Sequence, residues 1–184
     1  MVTTRTARVG VAPVVAVLVT VLVLAAGCGS SPQATASTTP LPAGRYPSQV
    51  SKMVCASEAP HDVGLALGEK ATVTTPTWSD HLYTCRYVYP SATVTLSVKE
   101  LSSVAETTAY YKSLGTQLGV ARPLGNLGQG AYQTTNGSVV VRKDYKVLLV
   151  DASGLPPQFG NPPTNPGAIA VTVGIVILGC WAGD

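Results

Sequence analysis

Residues 81–89, HLYTCRYVY, alternate well between two sides. Leu82, Thr84, Arg86 and Val88 fall on one side, and Tyr83, Cys85, Tyr87 and Tyr89 on the other. A period of two is that of a strand whose two faces meet different surroundings. Pro90 and Ser91 turn the chain into TVTLSVKEL, the second strand of a hairpin. Upstream, the spacing in residues 48–68 is helical and predicts two short helices. Ser57 suits the N-cap of the second, Pro60 its first turn and Gly68 its exit, with Val63, Ala66 and Leu67 on one face. Residues 71–78 are rich in Thr and Val and predict a strand interrupted at Pro76.

The second half repeats the order of elements without repeating the sequence. Ser103 with Glu106 forms a capping box, and Val104, Thr108, Tyr111, Leu114 and Leu118 recur at helical spacing up to Gly119. Asn136-Gly137 between two strand-like runs signals a hairpin whose central residues both take positive φ. A turn near Lys143-Asp144 then leads into a further strand, Tyr145 to Val150. Five prolines between Leu155 and Gly167 exclude a central strand there. Asn165 as cap and Pro166 at the first helical position start a final helix over 167–178, although its many β-branched residues would also suit a strand. These elements predict an α+β domain: an antiparallel sheet of five to six strands with helices packed on one face.

Ahead of the domain the pattern is of another kind. Arg5 and Arg8 precede an apolar run of 16 residues, Val11 to Ala26, short of the roughly 20 that a membrane span needs. A basic head, a short apolar body and small residues at its end make a signal peptide over 1–27. Ala25-Ala26-Gly27-Cys28 resembles the lipobox of bacterial lipoproteins, in which the cysteine thiol receives a diacylglyceryl group; the favoured Leu stands at Leu24, one place further upstream than the commonest pattern. The competing readings are an ordinary cleaved signal peptide and an uncleaved membrane helix. Gly29 to Gly44 carries no charge and no aromatic residue, so it cannot offset its ordering entropy and reads as a flexible tether. The organisation expected is therefore signal peptide 1–27, lipidated Cys28 with linker to residue 44, and one globular domain over 45–184. Its address is the extracytoplasmic face of the cell membrane, held by the lipid anchor.

Charge narrows the partners. Without the signal peptide's two arginines, 10 Lys+Arg face 9 Asp+Glu, a net of +1 that argues against nucleic acid. An oxidising compartment favours disulfides. Cys55 with Cys85 would staple the first helix to a central strand; Cys55 with Cys180 is the alternative. A zinc set of Cys55, His61, His81 and Cys85 has acceptable ligand types but no standard spacing, so no metal and no cofactor is expected. Gly125, Gly128 and Gly130 precede a strand and follow none, which marks an entry loop rather than a phosphate loop. Tyr83, Tyr87 and Tyr89 form a candidate ligand face, with sheet packing as the plainer reading. Glu58, Asp62, Glu100 and Asp151 are the acids an enzyme would have to pair.

Leu65 to Gly68 (L-x-L-G) after a helical cysteine, Cys85-Arg86-Tyr87, NLGQGAY and GSVVVRKDYKVLLV resemble a group of actinobacterial exported lipoproteins. That group is similar to the extracytoplasmic sensor domains of some actinobacterial serine/threonine kinases. The resemblance spans residues 50–180. It implies helices held by disulfides on an antiparallel sheet, with a cleft for a small ligand. Gln129 and Gly130 stand where the group carries an acid, so no binding residue carries over. The function expected is a non-catalytic envelope module binding a small ligand or an envelope protein. A lipid or glycolipid carrier is the first alternative, and a cell-wall hydrolase the second.

Overall fold

A computed structural model of the chain describes residues 41–181. The residues read as signal peptide, as lipobox (Cys28 included) and as most of the tether, 1–40, lie outside the described residues. In chain order the elements are α1 (Gln49–Met53), α2 (Glu58–Leu67), β1 (Thr72–Val73), β2 (Thr77–Ser79), β3 (Leu82–Tyr89) and β4 (Ala92–Glu100). They continue as α3 (Val104–Leu118), β5 (Val120–Leu124), β6 (Gly130–Thr134), β7 (Val139–Lys143), β8 (Lys146–Gly154) and α4 (Pro166–Cys180). All eight strands join one antiparallel sheet in the order β1-β3-β4-β8-β7-β6-β5, with β2 also paired to β3.

The α+β class and the antiparallel sheet agree with the sequence reading, but the sheet has eight strands, not five or six. Two differences account for this. Residues 71–78 split at Pro76 into β1 and β2, and VARPL forms β5, an edge strand that the reading passed over. Its residues are exposed except for the half-buried Leu124, so it shows no alternation to read. Pro123 and a register shift near its start are tolerable because one side of β5 has no partner strand.

Helices also occupy both faces, not one. On the inner face Cys85, Tyr87, Val94, Leu96, Val98, Val139, Leu148 and Val150 pack under Val63 of α2 and Ile169, Val173 and Ile177 of α4. On the outer face Tyr132, Val140 and Val147 pack against Leu114 of α3. Consecutive residues of β7 and β8 belong to opposite faces, as the pleat requires. The buried stripe of α2 is Ala59, Val63 and Leu67; Ala66, expected on it, is exposed. Val104 likewise lies exposed on the first turn of α3.

Turn chemistry departs from expectation at one hairpin and reappears at another. Only Gly137 (φ 88°) takes the left-handed conformation; Asn136 does not. The Gly137 N–H donates to Thr134 O at 3.0 Å, while Asn136 Oδ1 accepts the Ser138 N–H and the Thr134 hydroxyl. The hairpin with two positive φ values is instead Asp80-His81 (49° and 55°), between paired Ser79 and Leu82. At the start of α4 the expected cap is present: Asn165 accepts from the Ala168 N–H, and Pro166 opens the helix.

The staple is Cys55–Cys85, with Cα atoms 5.7 Å apart and a sequence separation of 30. Beside it the Tyr87 hydroxyl donates to Val54 O at 2.7 Å. Cys180 therefore does not pair with Cys55. At the exit of α2 the Asn161 N–H donates to Leu67 O at 2.7 Å, and a Cβ on Gly68 (φ 64°) would lie 2.3 Å from Asn161 O.

Replacing Cys55 and Cys85 together by Ser is expected to lower unfolding stability by roughly 3–4 kcal/mol in the loop-entropy account, read as a shift in denaturant midpoint. Gly68→Ala combines a clash with an unfavourable φ, and its expected cost exceeds about 1 kcal/mol in the same measurement.

Candidate functional site

The tyrosines proposed as a ligand face line the inner surface of β3 and belong to the main core. Tyr83, Tyr87 and Tyr89 are all buried, so their rings are core packing. Tyr89 lies edge-on to Phe159, with ring centroids 4.8 Å apart. Burial raises the pKa of all three phenols. Tyr89 is pushed up to about 12, with Glu69 adding repulsion, and Tyr87 goes higher still.

The four acids do not converge. Glu58 is exposed on the first turn of α2, and Asp62 lies one turn further along the same helix. Asp151 accepts from the Ser138 hydroxyl at 3.2 Å and from the Ser153 N–H at 2.9 Å. Glu100 is the last inward-pointing position of β4, after Val94, Leu96 and Val98. It is 4% exposed, and its Oε1 accepts the Ser48 N–H at 2.7 Å and the Ser51 hydroxyl at 2.5 Å. Lys146, also buried, stands opposite it in the β4–β8 register. An acid at the end of an alternating apolar series was the available sequence signal for this role: Glu100 seats the N-terminus of α1 on the sheet.

The zinc set does not assemble. Its two sulfurs are joined in the disulfide; His61 is exposed on α2, and His81 Nδ1 lies 3.1 Å from Gly44 O. Among the described residues no group of three or more His, Cys, Asp or Glu is placed to hold a metal ion. Gly128 (φ 60°) and Gly130 form the entry to β6 as expected, but the expectation that no strand precedes these glycines is corrected: their loop joins paired β5 and β6.

An open volume lies on the far side of α2 from the core. Ser57, then Pro60 with His61, then Gly64 with Leu65, then Gly68 recur once per helical turn along its solvent face. With Glu69, Lys70 and Ala71 they line a groove of about 570 Å³, within the size range of small-ligand sites. Gly64 leaves the middle of the helix wall without a side chain, and its carbonyl accepts the Gly68 and Glu69 N–H groups. Those bonds turn the segment from Glu69 to Ala71 back alongside the helix as the second wall. Leu65 and Pro60 supply apolar contact, while Ser57, His61, Glu69 and Lys70 supply donors and acceptors of both signs. Sequence reading placed His61 on the surface but had no signal for a groove, because the second wall depends on the path after Gly68.

Comparison with protein families, with curated proteins and with solved structures gives no match to this chain.

Tyrosine titration tests the core assignment. A phenol whose folded pKa is raised contributes stability that is whole below the unfolded value of 10.0 and is lost as pH climbs through about 12. Tyrosinate ultraviolet absorbance from these residues should therefore appear only with unfolding. Titration of these three near pH 10, isolated by difference spectra against Tyr→Phe variants, in protein that keeps its circular dichroism would contradict the burial.

Proposed function

We propose that the chain is a lipoprotein of the cell envelope, moored through Cys28 on the extracytoplasmic face of the membrane. Its α+β body is a non-catalytic module that binds a small ligand or an envelope protein in the α2 groove. The observation that carries this reading is the contrast between the two sides of α2. Its inner side closes over a packed core, and its outer side borders about 570 Å³ of accessible space with mixed polar and apolar walls.

The packing of α4 weighs against the carrier. A Cβ added at Gly174 would stand only 3.8 Å from Leu127 and Val139, so helix and sheet are already in van der Waals contact. The placement of the acids weighs against the hydrolase. Glu100 on the inner face and Asp151 beside Ser138 are engaged in structural hydrogen bonds, and neither faces the groove. For the anchor, two acyl chains at about 0.8 kcal/mol per buried CH₂ hold a protein without help from a basic patch, which suits the near-neutral charge. No helix among the described residues is long and apolar enough to cross a membrane.

Two measurements test the two parts. The full chain should partition into the detergent phase, and Cys28→Ser should leave it; native protein in the cytosol with residues 1–27 attached would refute the anchor. Native mass spectrometry of protein from its own host should show a co-purified mass that Leu65→Trp loses. Leu65 is 71% exposed, so this change fills the groove without touching the core. A bound mass that survives Leu65→Trp would refute the groove.

A further inference from the structure

We infer that the end of the sheet where β3 begins and β4 ends is a docking surface for the bilayer itself, so that the body is held in one orientation and does not swing on its tether. The inference rests on the lipid-anchor reading above and adds a contact surface to it.

The first observation is how the chain enters the body. The Ala43 N–H donates to Leu101 O at 3.0 Å, Gly44 O lies 3.1 Å from His81 Nδ1, and Trp78 Nε1 donates to Arg45 O at 3.1 Å. With the Ser48 N–H on Glu100, these bonds fasten residues 43–48 across that end of the sheet. The linker assigned to residues 29–44 is thus tied down over its last residues. Twelve residues separate Cys28 from Leu41, and a flexible chain of that length spans on the order of 20 Å. β4, with 9 residues, is about 30 Å long, so an anchor at Cys28 brings the entry end of the sheet to the membrane.

The second observation is what that end displays. Six large apolar side chains are exposed among the described residues, and three of them lie here. Leu41 and Tyr46, each 70% exposed, belong to the entering segment. Val104, 58% exposed, opens α3 three residues after Leu101, the partner of Ala43. The other three, Leu65, Val120 and Ile175, are scattered over α2, β5 and α4. The Arg45 guanidinium lies 5.6 Å from the Tyr46 ring centroid, and half-buried Trp78 stacks edge-on to His81. Leucine and valine beside a tyrosine, a tryptophan and an arginine are the side chains that settle at the headgroup boundary, rings at the interface and the guanidinium in water.

The test uses the lipidated full chain on phosphatidylglycerol–phosphatidylethanolamine vesicles with brominated acyl chains, which quench tryptophan on contact. Tyr46→Trp places a probe at the docking end, and Val120→Trp places one at the far end of the sheet. The unaltered chain, with Trp78 at the docking end and Trp181 buried, gives the background. The added emission at position 46 should fall roughly twofold, as for a side chain at the headgroup–acyl boundary, and that at position 120 should hold. In the unaltered chain Trp78 should also be quenched, and Leu41→Ser with Tyr46→Ser should relieve that quenching while the protein still floats with the vesicles. Equal quenching at 46 and 120, or none at either in floating protein, overturns the docking and leaves the anchor standing. Protein that does not float overturns the anchor and the docking with it.

Discussion

Every second side chain along β3, β4, β8 and β7 points beneath α2 and α4, and removing that apolar face from water dictates where the helices lie. Each fully buried valine or leucine contributes about 1.5–3 kcal/mol. With Val94, Leu96, Val98, Val139, Val141, Leu148 and Val150 on the face, their sum exceeds the roughly 3–4 kcal/mol expected of the disulfide several-fold. The cross-link is thus a local device. It ties the short α1–α2 connection, of which only Val54 is buried, to the strand beneath it.

Polar groups set the details that apolar burial leaves undetermined. α1 has only five residues and could not hold its position by helix propensity. Glu100 fixes it by receiving the Ser48 N–H and the Ser51 hydroxyl, a carboxylate acting at a helix N-terminus. Because the same carboxylate sits at the end of β4, the direction from which the chain arrives is fixed relative to the sheet. On the opposite face Tyr132 does a similar task for α3: its hydroxyl donates to Tyr111 O at 3.0 Å while its ring packs on Tyr111.

What the sequence revealed divides along the same line. Alternation in HLYTCRYVY assigned each residue of β3 to its correct face, and Asn165-Pro166 marked the start of α4 against the strand-like composition that follows. Local capping and period-two burial are written in neighbouring residues, so they could be read. β5 could not, because an exposed edge strand has no face to alternate. The location of α3 on the outer face also escaped, since its apolar stripe does not say which side of the sheet it meets. The three tyrosines look alike in a binding cleft and in a core. The α2 groove arises only after Gly68 reverses the chain, so its two walls are adjacent in space through a backbone conformation and not through spacing.

The two rims of the sheet have a consequence of their own. On one side lie two stubs of two and three residues interrupted by Pro76; on the other, a five-residue strand broken by a register shift and Pro123. Neither presents the long row of unsatisfied amide groups on which a second chain could template. Many copies crowded together at high density would therefore stay separate, each sheet ending in itself, where an unblunted rim would seed strand-by-strand polymerisation.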